Sequence, residues 1–153
     1  MKFTSSSGSG FKLEILGYQF PHLETEEYDS NWLIIKTNVT HPERSWTSRG
    51  PDLLTYEIAE LADWLVGIAH GQAVNPVLRF IEPNLEFRLL DLEPTRQLLR
   101  IYFELESRPD WASQDKGIME DLWVEFPIPE LDLEEAVRSL RQQLSKYPQR
   151  AKR

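Results

Sequence analysis

Apolar and polar residues alternate strictly along several stretches of this chain, and the connections between these stretches are short. Leu85–Leu89 alternates in this way, and so does Leu99–Leu105 after a turn at Pro94 and Thr95. A period of two is typical of half-buried strands, and parallel neighbours would need a connection of about a dozen residues or more. The pattern therefore predicts an antiparallel sheet of about six strands. Alternation gives 11–15, 78–80, 85–89, 99–105 and 122–126, and a β-branched, apolar composition gives 32–39. Short additional segments are expected at Phe3, turned back over Ser5–Gly10, and at 44–49.

Two segments show helical periodicity instead. Residues 55–70 are predicted to form a helix, with Thr55 as its N-cap and Gly71 just past its end. Its apolar stripe steps by four and three residues: Leu54, Ile58, Leu61, Leu65 and Ile68. A second helix is predicted from a capping box formed by Asp132 and Glu135, and Pro148 ends it. The expected fold is α+β, in which two amphipathic helices accompany the antiparallel sheet.

The chain length favours one domain over residues 1–153, with 148–153 as a frayed basic tail. We find no internal repeat and no apolar run long enough to span a bilayer. The N-terminal residues lack the apolar core of a secretory signal, and cysteine is absent. These features predict a cytoplasmic protein, since the lack of cysteine fits a reducing compartment.

Charge is unevenly distributed along the sequence. The formal net charge is −8, yet residues 138–153 contain six basic residues and no acidic residue, which leaves a net charge of −14 on residues 1–137. An acidic body repels nucleic acid and anionic membranes, and it attracts a basic protein partner. Solubility alone is the other explanation for such a charge.

Motifs for catalysis are weak. The sequence contains no nucleophile motif, no phosphate-binding glycine loop and no metal-ligand spacing, so we predict no catalytic residue, cofactor or metal site. The one arrangement that suggests an enzyme is Glu104 with Glu106, which an extended strand would place on one face about 6.6 Å apart. Any carboxylates two residues apart on a strand have this spacing, and Arg100 on the same face is expected to form ion pairs with them or their neighbours.

Five strings occur in an order that is not generic: LEILGYQFP (13–21), YDSNWL (28–33), LLTYEIAELADWL (53–65), FIEPNLEF (80–87) and LRIYFELESRPDW (99–111). Together they resemble the WapI-type immunity protein family of bacteria. The resemblance implies a protein without catalytic activity that binds and neutralises the C-terminal toxin domain of a contact toxin. Such toxins include nucleases that act on transfer RNA.

This resemblance and the acidic charge agree, because nucleases need basic surfaces to hold RNA. We expect an acidic contact region for a basic toxin domain, with no direct binding of nucleic acid or membrane and no expectation about oligomeric state. Two other classes stay open: an adaptor or self-associating interaction module, and a small enzyme with a carboxylate site. The candidate partner-binding residues are Glu24, Glu26, Glu27, Asp29, Asp110, Trp111, Asp115, Glu120 and Asp121.

Overall fold

Two antiparallel sheets of four strands each form the framework of the protein. The computed structural model describes residues 1–93, 96–113 and 121–151. The first sheet has the order β1 (Lys2–Thr4), β2 (Gly10–Tyr18), β3 (Trp32–Thr40) and β4 (Trp46–Leu54). Helix α1 (Thr55–Ala69) follows it. The second sheet has the order β5 (Val77–Arg79), β6 (Leu85–Glu93), β7 (Arg96–Phe103) and β8 (Leu122–Pro127), with the short helix α2 (Asp110–Ser113) before β8 and helix α3 (Leu133–Lys146) after it.

The predicted α+β class and antiparallel pairing are confirmed, although the strands number eight and divide into two sheets. Alternation identifies which side chains of a strand are buried, but it does not identify the surface that buries them. Here each sheet is covered in part by the other. The rings of Phe11 and Phe87 lie 6.0 Å apart in an edge-on contact, and those of Phe3 and Phe126 lie 5.7 Å apart. One hydrophobic core therefore joins both sheets with α1 and α3.

Helix α1 ends at Ala69, one residue before the predicted end, and its N-cap is Leu54 and not Thr55. The cap depends on the Glu57 carboxylate, which accepts a hydrogen bond from the Leu54 backbone N–H at 2.9 Å. Thr55 is already helical, and its hydroxyl donates to the side-chain oxygen of Asn31 at 2.8 Å. In this way the start of α1 is fixed to the segment that leads into β3.

Helix α3 begins as predicted, with the Asp132 side chain accepting a hydrogen bond from the Glu135 N–H at 3.0 Å. Beyond its end, the chain contacts the β2–β3 loop. The Arg150 guanidinium lies 3.5 Å from the ring centre of Tyr18 and donates to backbone carbonyls of that loop, among them that of Leu23 at 2.7 Å. Ala151, the last described residue of the tail, also contacts this region: its carbonyl oxygen accepts a hydrogen bond from the side-chain amide of Asn31.

Strand β7 ends at Phe103, two residues earlier than its apolar alternation predicts. The next residues form a 3-10 turn, Leu105–Ser107, in which Leu105 has a positive φ of 50°. The buried Ser107 hydroxyl fixes this turn, because it donates to the Asn84 carbonyl and accepts from the Glu104 N–H. None of the helices among the described residues is long and apolar enough to cross a membrane.

Candidate functional site

The four acidic residues predicted between β2 and β3 lie on an exposed loop. Glu24, Glu26, Glu27 and Asp29 are all exposed, and none takes part in the ion pairs formed within residues 1–93, 96–113 and 121–151. The nearby Arg150 binds carbonyl oxygens and not these carboxylates. The loop therefore presents negative charge that no side chain of the described residues neutralises in an ion pair.

The second predicted group surrounds α2. Asp110 is exposed at the start of this helix, and Asp121 is exposed just before β8. Trp111 is half-buried, with its ring edge-on to Trp46 at 5.8 Å and beneath the guanidinium of Arg44 at 5.6 Å. The remaining two candidates, Asp115 and Glu120, lie outside the described residues.

The structure places these two groups at opposite ends of β3. The β2–β3 loop with its four carboxylates at residues 24–29, here called the acidic loop, leads into Trp32 at the start of this strand. At the other end, Val39 pairs with Trp46, which contacts Trp111. Seven residues of strand separate the two ends, which corresponds to roughly 23 Å. The predicted residues therefore lie on two separate surfaces.

Asp29 belongs to a groove that the sequence did not reveal. This acidic groove has a volume of about 500 Å³, and its lining includes the carboxylates of Asp29, Asp52, Glu82 and Glu106, together with Arg49 as its one cationic side chain among the described residues. Four segments that are distant in the sequence supply these carboxylates: the β2–β3 loop, β4, the segment between β5 and β6, and the 3-10 turn after β7. The sequence Gly-Pro-Asp at 50–52 is typical of a turn and interrupts the apolar alternation. The sequence pattern therefore did not indicate that Asp52 is buried in a strand.

Asp52 forms the buried floor of the acidic groove, with 2% of its surface exposed. The Asn84 side-chain amide donates to Asp52 Oδ1 at 2.7 Å and reaches Glu106 Oε2 at 3.3 Å. Burial raises the pKa of Asp52 to about 6; the hydrogen bond from Asn84 opposes this shift, and the nearby charges of Glu106 and Glu82 add to it. The protein thus keeps a carboxylate where ionisation is unfavourable.

A second buried carboxylate, Glu57, supports the same region. Its Oε2 accepts the N–H of Leu54 and its Oε1 accepts the N–H of Ile81 at 2.7 Å. Burial raises the pKa of Glu57, although these two backbone hydrogen bonds lower it. Glu57 therefore ties the turn that carries Glu82 to the start of α1.

The two carboxylates considered for catalysis do not form a joint site. Because β7 ends at Phe103, Glu104 and Glu106 do not share a strand face: Glu104 lies 3.8 Å from the Arg108 guanidinium, and Glu106 lines the acidic groove while Glu104 does not. Arg100 forms its ion pair across the sheet with Glu125 at 2.9 Å. Within the part of the chain that the structure describes, no group of three or more histidine or acidic residues is arranged to hold a metal ion.

The comparisons with known proteins give one match. The sequence matches the Immunity protein WapI-like family over residues 2–148, nearly the whole chain. Neither the curated proteins nor the solved structures gave a match. The family match spans both sheets, α1, α3 and every lining residue of the acidic groove. The chain therefore belongs to the WapI-like immunity protein family.

Proposed function

We propose that this protein binds the toxin domain of a cognate contact toxin and neutralises it by covering a functional surface, without catalysis. The observation that carries this proposal is the family match over residues 2–148. The net charge of −8 and the four carboxylates of the acidic groove support an electrostatic mode of binding.

The chemistry of the partner follows from this charge. A toxin domain that cleaves RNA must present lysine and arginine side chains to the RNA backbone. An acidic inhibitor competes for the same surface, and complementary charge raises the rate of association. We therefore propose a basic toxin domain, with an RNA-cleaving nuclease as the candidate. Glu24, Glu26, Glu27 and Asp29 form the exposed part of the contact region on the groove side.

The same charge argues against direct binding of nucleic acid or of an anionic membrane, because both would be repelled. We place the interaction in the cytoplasm, where the absence of cysteine fits a reducing environment. Residues Asp110, Trp111 and Asp121 form the second surface, and we propose them as a separate contact at the far end of β3.

Co-expression with the toxin domain encoded next to this protein tests the proposal. Growth should be rescued by the wild-type protein and lost again in the triple variant Glu26→Lys, Glu27→Lys, Asp29→Lys. A wild-type protein that neither rescues growth nor binds the purified toxin domain would contradict the proposed function.

A matched variant controls for net charge. Glu60→Lys, Asp91→Lys, Glu134→Lys changes the charge by the same amount at three exposed positions outside the acidic groove and the acidic loop. This control should still rescue growth. Equal loss of rescue in both triple variants would show that overall charge, and not the acidic loop, is responsible.

A further inference from the structure

Most of the exposed apolar residues belong to the segments that supply the lining of the acidic groove. Six large hydrophobic residues are exposed among those that the structure describes, and five of them lie on the segments that line this groove. Phe20 is itself part of the lining, and Ile81 and Leu105 directly precede the lining residues Glu82 and Glu106. The five are Phe20, Leu23, Tyr28, Ile81 and Leu105; the sixth, Leu92, lies near the other end of β6.

Leu105 is the most unusual of them. Its backbone has a φ of 50°, a left-handed conformation that glycine adopts readily and leucine does not. Its side chain is 54% exposed, so it gains little from packing in the free protein. In the free protein, therefore, neither the backbone conformation nor the burial of residue 105 favours leucine over glycine.

We propose that the acidic groove and its apolar rim, formed by Phe20, Ile81 and Leu105, are the docking face for the toxin domain, with Leu105 as an apolar anchor. This inference rests on the proposed function and specifies its partner: a toxin surface on which an arginine or lysine side chain is surrounded by apolar side chains.

The charges of the acidic groove favour a partner that inserts a cationic side chain. Among the described residues the lining holds four carboxylates and one arginine, Arg49, so a cation entering from a partner finds an excess of negative charge. Apolar residues around such a contact exclude water, and exclusion of water strengthens the charge interaction. A purely apolar partner would leave the Asp52 and Glu106 carboxylates buried without a counter-charge, which is unfavourable.

Leu105→Gly separates binding from stability. Glycine accepts the left-handed backbone, so the midpoint of thermal unfolding should stay the same or rise. The dissociation constant for the purified toxin domain encoded beside this protein, measured by calorimetry, should rise at least tenfold. Leu92→Ala is the matched control, since Leu92 has 55% of its surface exposed but lies away from the groove; its affinity should not change.

Ile81→Ser provides a second test at a rim position with an ordinary backbone, and it should also weaken binding at least tenfold. Binding of both variants with wild-type affinity would overturn the inference while leaving the proposed function intact. Failure of the wild-type protein to bind the toxin domain would instead overturn the proposed function, and this inference with it.

Discussion

Replacing Asp52 with asparagine removes a buried charge and keeps the shape of the side chain. The carbonyl oxygen of asparagine can still accept the hydrogen bond from Asn84. The pKa of Asp52 is about 6 in the folded protein, against 3.8 for a free side chain. Each pKa unit corresponds to about 1.4 kcal/mol, so ionised Asp52 destabilises the fold by at most about 3 kcal/mol. We expect Asp52→Asn to raise the free energy of unfolding at pH 7.5 by up to this amount.

The raised pKa of Asp52 also determines how the difference in stability between the two proteins changes with pH. Between pH 4 and pH 6 the folded protein holds a proton on Asp52 that the unfolded chain has lost, so wild-type stability rises as the pH falls through 6. The raised pKa of Glu57 acts in the same direction, but it is common to both proteins and cancels in their difference. The advantage of Asp52→Asn should therefore shrink below pH 6 and vanish near pH 4.

Urea denaturation of both proteins between pH 4 and pH 7.5 measures this difference. Asp91→Asn is the control, because Asp91 is exposed on β6 and this change should alter stability little at any pH. A variant Asp52→Asn that is less stable than wild type at pH 7.5, or a gain that is constant with pH, would refute the argument that a buried charge is retained at the expense of stability.

Three further results are expected. Phe87→Ala should lower the free energy of unfolding by about 3–5 kcal/mol in a denaturant titration, because Phe87 is fully buried between the two sheets; a loss below 1 kcal/mol would show that the sheets do not share a core. Glu57→Ala should lower stability at pH 7 by about 1–3 kcal/mol, since two N–H groups lose their acceptor; unchanged stability would contradict its capping role. The association rate with the toxin domain should fall steeply as salt rises from 50 to 500 mM, measured by stopped flow, and a rate indifferent to salt would argue against electrostatic steering.

Local patterns were sufficient for most of the fold. Alternation identified most of the strands, although β4 runs to Leu54 and only 44–49 was predicted there. The i, i+3 and i, i+4 spacing of leucine and isoleucine residues identified α1, because these signals depend only on residues close in sequence. The division into two sheets was not predictable in this way. It depends on contacts such as Phe11 with Phe87, which form only when distant strands meet.

The acidic groove could not be predicted from local sequence patterns either. The hydrogen bond between Asn84 and Asp52 spans 32 residues, and no spacing rule indicates it. Alternation also extended β7 to Leu105, whereas the buried Ser107 hydroxyl and the Asn84 carbonyl turn the chain after Phe103. The acidic loop was visible because it is a local concentration of charge. Its position beside a groove formed by both sheets required the structure.

The stoichiometry of neutralisation tests the central claim most directly. The activity of a fixed amount of purified toxin domain is measured while this protein is added in increasing amounts. A protein that acts by covering its partner should reduce the activity linearly and abolish it at one molecule per toxin domain, with activity returning when the complex is dissociated. Complete inactivation by a small fraction of one equivalent, or activity that persists at a large excess, would contradict this account.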